Sequence, residues 1–143
     1  MKKRKKPCVS AIIKNKEGKI LVQDHVKLDA ITLPGGKVEN DEDIHDTLER
    51  ELKEELGIIV KRSIQFGNEV EMGVLEYPAG SGQYMNFTQT FFGITEYDGE
   101  IENKEPNKHK RILWVEPHEV HELGRPISHV LQHILDNPDS YCI

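Results

Sequence analysis

The stretch Gly36–Ile58 reads GKVENDEDIHDTLERELKEELGI, and its reading decides the fold. It follows Leu33-Pro34-Gly35 and runs through charged residues into a carboxylate cluster closed by Gly57. Ile44, Leu48, Leu52 and Leu56 recur every fourth residue, the spacing of an apolar helical stripe. Residues three and four apart share a helical face, so Glu51, Glu54 and Glu55 lie together beside that stripe. The pattern predicts a helix at about 42–56, capped by Asn40 or Asp41 and ended by Gly57. Like charges on one face repel and weaken a bare helix. A face that accepts them is suited to a cation, and oxygen-only ligands suit Mg²⁺ or Mn²⁺. Taken alone, the cluster also fits a solvated helix surface on which Arg50 and Lys53 neutralise their neighbours.

The rest of the chain narrows the class. Its 143 residues suit one domain spanning 1–143 with a real core. Hydrophobic residues make up 36% and charged ones 31%, which reads as polar but globular. No segment approaches the roughly 18 apolar residues of a membrane span, and no secretory leader is visible. Cys8 and Cys142 stand at opposite ends without metal spacing, so they read as free thiols and the expected location is cytoplasmic. The net charge is −6 although Lys2–Lys6 is wholly basic, so the body is more acidic still. That balance argues against broad nucleic-acid binding through the fold surface. Residues 1–6 read as a flexible basic arm, with RNA or membrane contact as the alternative.

Along the chain, Cys8–Lys14 and Lys19–His25 read as two strands of a hairpin around Asn15-Lys16-Glu17-Gly18. Ile31-Thr32-Leu33 and Lys37-Val38-Glu39 read as short strands flanking the Gly35-Gly36 turn. Ile58–Met72 reads as one or two strands with a break near Gly67-Asn68. Pro78–Gly82 is a loop of chain breakers, and Tyr84–Tyr97 returns as a long strand. A polar loop, Glu100–Lys110, leads to the strand Ile112–Val115. Short helices are expected at Glu116–Leu123 and Ile127–Leu135. Three weaker patterns carry no function. Gly80-x-Gly82 lacks the third glycine of a dinucleotide fingerprint, His118-Glu119-Val120-His121 is one residue short of a zinc-protease motif, and His129/His133 have no third ligand.

The spacing of Gly36, Glu42, Arg50-Glu51, Leu52, Glu54-Glu55, Gly57 and Ile58 resembles the signature of the Nudix hydrolases at every defined position. The flanks depart from the family in two places. Ile31 stands where an aromatic is common, and Asp41 stands where Gly often precedes the first signature Glu. The resemblance implies an α/β protein, an α/β/α sandwich with a mixed β-sheet and the signature helix on one face. It implies hydrolysis of a pyrophosphate bond with Mg²⁺, for which Mn²⁺ can substitute. By resemblance, the Gly35 carbonyl, Glu51 and Glu55 are metal ligands, and Glu54 is a ligand or the base that positions water. Arg50 orients these acids or meets phosphate, Glu42 holds Arg50 or the loop, and Lys37 faces the substrate or supports the site. The order Glu105-Pro106-x-Lys108 before Trp114 resembles nucleotide-cleaving members, in which an acid of this loop completes the metal site or activates water. Glu105 is that candidate; a solvated loop acid is the other reading.

The implied substrate is a nucleoside diphosphate derivative. Compact size and the Glu105 loop favour a nucleoside triphosphate, giving a monophosphate and pyrophosphate. The long Ile58–Tyr84 stretch keeps ADP-ribose, dinucleoside polyphosphates and nucleotide sugars open, and the basic arm keeps capped RNA open. Tyr77-Pro78 stands slightly later than the Pro or Tyr that marks some of these subgroups. A nucleotide sensor without turnover is the reading from another class, although such members usually lose signature acids and none is lost here. A homodimer is compatible with all of them.

Overall fold

Alternation along the strands sets the layers. In the first strand, β1 (Arg4–Ile13), Val9, Ala11 and Ile13 join one apolar cluster and Ile12 joins another on the opposite face. The same division separates Leu21 from Ile20 and Val22 in β2 (Ile20–His25), and Phe92 from Phe91 in β6 (Tyr84–Asp98). Strands apolar on both faces must be covered on both. Helix α1 (Ile44–Leu56) covers one side with Leu48, Leu52 and Leu56. Helix α2 (His129–Asp136) covers the other with Leu131 and Ile134. The result is the layered α/β architecture that the resemblance implied. The structure, a computed structural model, describes residues 4–143.

The remaining elements are β3 (Ala30–Thr32), β4 (Gly35–Lys37), β5 (Ile59–Glu76), β7 (His109–Val115) and two 3-10 helices at Pro117–Leu123 and Pro138–Tyr141. One sheet has the order β4-β1-β6-β5 and is mixed, because β1 and β6 run parallel while β4 and β5 pair antiparallel. The second, β3-β2-β7, is antiparallel.

Four expectations need correcting. The β1–β2 hairpin does not form as a strand pair; the bridge Lys14↔Ile20 and the Asn15 amide on the Lys19 carbonyl close only the turn, because both edges of β1 are taken by β4 and β6. The basic segment is not wholly an arm, since Arg4, Lys5 and Lys6 pair with Met85, Asn86 and Phe87; Met1–Lys3 lie outside the described residues. The helix starts at Ile44 and Asp43 caps it, accepting from the amides of His45 at 2.8 Å and Asp46 at 2.9 Å; Asn40 instead takes a turn conformation with φ 48°. The strand expected at Lys37–Glu39 lies at Gly35–Lys37, because Glu39 already enters the turn closed by the Glu42 amide on its carbonyl.

The break expected near Gly67 is a bulge inside one long strand. Phe66 pairs with Phe91 and Val70 with Gln89, so β5 carries extra residues there. Gly57, with φ 75°, ends α1 as expected. Leu52 is wholly buried in the cluster under α1. Leu52→Ala should therefore destabilise the fold by about 2–5 kcal/mol, read as a lower denaturant midpoint at unchanged slope.

Candidate active site

Helix α1 places its acids by burial as much as by spacing. Glu55 falls beside the apolar stripe and is buried, Glu51 is mostly buried, and the Glu54 side chain is half exposed. Arg50 ties the outer part together. Its Nε and Nη2 donate to the two oxygens of Glu42 at 2.7 and 3.0 Å, a two-point fork. Its Nη1 donates to Glu51 at 2.9 Å and to Glu54 at 3.5 Å, and Nη2 also reaches the Lys37 carbonyl at 3.2 Å. The guanidinium is thus spent on orienting acids and the strand β4. Glu42 also accepts from the Glu39 amide and the Thr47 hydroxyl, both at 3.0 Å. The hydrogen bonds from Arg50 above all hold the Glu42 carboxyl down at about 2.

The inner pair is different. Burial pushes the Glu55 carboxyl well up; hydrogen bonding with Glu51 adds to this, while Gln23 and the Gly35 amide pull the other way. Burial also raises Glu51, against the hydrogen bond with Glu55 and the charge of Arg50. Two neighbouring carboxyl groups in a buried place are stabilised by a proton or a cation between them.

The backbone makes room for this pair. A Cβ on Gly36 would lie 2.3 Å from the Glu51 carboxylate. Gly35 donates its amide to Glu55 at 3.3 Å, and its φ of 154° places it where a Cβ would strike the Val9 carbonyl at 2.1 Å. The glycines therefore let β4 press directly against the acids.

The loop after β6 is fastened to the end of α1. The amides of Glu102 and Lys104 donate to the carbonyls of Leu56 and Glu55 at 3.1 and 2.9 Å. This satisfies carbonyls that a helix end leaves open, and it ties the residue before Glu105 to the backbone of Glu55. Glu105 pairs with Lys108 at 3.1 Å, and Lys108 is raised by Glu105 first, with smaller pulls from Glu51 and Glu54. The Asn103 amide group donates to the His109 carbonyl at 2.7 Å and its oxygen accepts from the Glu105 amide at 3.3 Å, fixing the loop.

Gln23 and His109 were not singled out from the sequence, nor was the convergence of Lys6 with Lys37 on Tyr77. Gln23 donates to Glu55 at 2.8 Å from strand β2. His109 is buried, with Nε2 3.8 Å from Glu55 and Nδ1 without a partner among the described residues. Lys6 and Lys37 converge on the ring of Tyr77, 5.1 and 4.5 Å from its centroid, and Lys37 also donates to the Tyr77 hydroxyl. The ring of Tyr77 meets Phe87 edge-on. The only sequence signals were a polar residue following the apolar Ile20-Leu21-Val22 and an aromatic beside the Pro78 loop.

The donor set fits a hard divalent cation. It is made of carboxylates and a glycine backbone, with a buried acid pair and a cradle that a Cβ would fill. No three acid, histidine or cysteine side chains are gathered for coordination among the described residues. Glu51 and Glu55 are paired, whereas Glu54 turns outward to Arg50 and Glu105 to Lys108. A cavity of about 600 Å³ lies elsewhere, between α2 and the chain end, lined by Lys14, His121, Gln132 and Ile143; it contains none of the predicted site residues. His133 is structural, stacked on Phe91 and bonded to the Tyr141 hydroxyl at 2.7 Å. No helix among the described residues is long and apolar enough to cross a membrane.

Comparison with known proteins agrees with this fold. The NUDIX domain family matches residues 4–134. A MutT NUDIX hydrolase from Burkholderia pseudomallei superposes with a TM-score of 0.71 at 24% identity, covering 93% of this chain and 97% of that one. The ORF135 protein of E. coli superposes with a TM-score of 0.66 at 29% identity, covering 94% and 88%. The E. coli dihydroneopterin triphosphate pyrophosphohydrolase gives 0.62 at 15% identity, covering 94% and 99%. No curated protein matches the chain significantly in sequence.

Proposed function

Because this chain belongs to the NUDIX domain family and is a Nudix pyrophosphohydrolase, we propose that it cleaves a nucleoside triphosphate to a monophosphate and pyrophosphate, using Mg²⁺, with Mn²⁺ able to substitute. Hydrolysis of pyrophosphate bonds in small nucleotides, with a divalent cation, is the business of the family; the triphosphate and the metal are the proposal. The whole of 1–143 acts as one such domain.

The observation that carries the reading is the buried Glu51–Glu55 pair pressed against Gly35-Gly36. Glu51, Glu55 and the Gly35 carbonyl would hold the cation, with Glu54 or Glu105 completing the set. Bound there, a divalent cation polarises phosphorus, offsets the charge of the phosphate oxygens and lowers the pKa of water. Glu54, whose side chain is half exposed, is the acid placed to take a proton from water. Arg50 and Glu42 keep the acids aimed, and hold β4 and α1 in one geometry. Lys6 and Lys37 have no carboxylate partner among the described residues, so they offer positive charge to an anionic substrate on an otherwise acidic chain.

A second reading is favoured by the hairpin β5–β6. Its end brings Tyr77 and Phe87 beside Lys37, enough surface for the larger leaving groups of ADP-ribose, a dinucleoside polyphosphate or a nucleotide sugar. A panel of these nucleotides with Mg²⁺, with products resolved by chromatography, decides. Release of pyrophosphate from a triphosphate is the expected result. Preferential cleavage of ADP-ribose or a dinucleotide would transfer the assignment to the second reading, and binding without turnover would make the chain a sensor.

Glu105→Gln should slow turnover clearly, by about 10-fold or more, yet less than loss of Glu54, because general acid–base or ligand roles contribute about 10²–10⁴-fold when complete. An unchanged kcat would return Glu105 to a solvated loop acid.

A further inference from the structure

We propose that Gln23 is the positioning residue for Glu55, setting the direction in which that carboxylate meets the cation; this rests on Glu55 being a metal ligand. Gln23 lies on β2, the middle strand of its sheet, and pairs with Thr32 on one side and Ile112 on the other. Its backbone is therefore fixed from both edges, and its side chain is almost fully buried. Its Nε2 donates to Glu55 Oε1 at 2.8 Å, while the Gly35 amide donates to Oε2 at 3.3 Å. Each oxygen of the carboxylate thus has one donor, and the plane of the group is determined by two points on two different strands. The remaining lone pairs are left for Glu51 and for a cation.

The chemistry of the donor matters. A lysine or arginine at this place would satisfy Glu55 by charge and compete with a cation for it. A primary amide carries no net charge, so it orients the carboxylate and leaves its charge unspent. His109 does not share the task. Its Nε2 is 3.8 Å from the same oxygen, beyond hydrogen-bond range. It forms the wall behind the pair, packed edge-on against His25 at 5.3 Å.

The test uses Gln23→Met, which keeps the length and removes the donor, with thermal unfolding to establish that the variant is folded. Mn²⁺ binding is followed by the electron paramagnetic resonance of free Mn²⁺, without nucleotide. The Mn²⁺ Kd should rise about 10–100-fold, the usual effect of losing a group that orients a ligand. In turnover, the half-saturating Mg²⁺ concentration should rise similarly, with the nucleotide KM at saturating Mg²⁺ little changed. Gln23→Asn, one methylene short, keeps a buried amide should the apolar change unfold the chain, and the same weakening is expected. Wild-type Mn²⁺ affinity in a folded variant would overturn the proposal. Glu55→Gln separates the two levels: normal Mn²⁺ binding in that variant would remove Glu55 from the ligand set itself, whereas weakened binding there with normal binding in Gln23→Met would overturn only the role of Gln23.

Discussion

Glu54→Gln should lower kcat by about 10²–10⁴-fold while leaving the fold intact. The magnitude is that of a lost general base or of a lost metal carboxylate acting in the transition state. The innocence of the fold follows from position. The Glu54 side chain is half exposed, and its contact with Arg50, at 3.5 Å, is longer than those the same guanidinium makes to Glu42 and Glu51, at 2.7 and 2.9 Å. A glutamine is the same size and can keep that contact through its carbonyl oxygen. Stopped or steady-state assays on the cleaved nucleotide, beside a thermal unfolding curve, provide the check. Near-normal turnover would remove Glu54 from the chemistry.

The second large effect separates two adjacent glycines. Gly36→Ala should leave stability nearly unchanged and cost about 10²-fold in activity, the scale of a misplacement of about 1 Å. The three atoms nearest the added Cβ all belong to the Glu51 carboxylate, the closest at 2.3 Å, and that is the far end of a flexible side chain. It can swing away, but in doing so it leaves Arg50 and Glu55. Gly35→Ala should do the reverse first. Its backbone stands at φ 154°, and the Cβ would meet the Val9 carbonyl at 2.1 Å, an atom of β1 that cannot move aside. The strained dihedral alone costs about 1–3 kcal/mol. Unfolding midpoints should therefore fall further in Gly35→Ala, while kcat should fall in both variants, because Gly35 also orients Glu55.

The parts of this molecule that could be read from the chain are the local ones. Helix α1 announced itself because its apolar period, its acids and its closing Gly57 agree on one element. Glu105 could be nominated because Pro106, Lys108 and Trp114 gave it a context resembling nucleotide-cleaving relatives. Partner choice between strands was not readable. Nothing local to β1 says that it will pair in parallel with a strand some eighty positions away, and the turn at Asn15–Gly18 suggested the wrong neighbour. The cap was misplaced for a related reason: Asn40, Asp41 and Asp43 are all competent, and only the conformation of the loop chooses Asp43. Gln23 was invisible because it heads the polar half of β2, Gln23-Asp24-His25, where nothing in period or motif sets it apart. Its meaning comes wholly from Glu55 across the fold.

The parallel pairing of β1 with β6, registered from Arg4↔Met85 to Ile13↔Ile94, has a consequence for how the chain comes into being. On a ribosome, β1 is made first and its centre-sheet partner late. Until β6 emerges, the growing chain carries Val9, Ala11 and Ile13 on a strand with one open edge, and the apolar face of α1 has no sheet complete enough to rest on. Loop closure over such a span makes collapse of the sheet a late and slow event. Nascent chains stalled before β6 should thus be the sticky species, and the acids should acquire their buried arrangement only once β6 has joined β1.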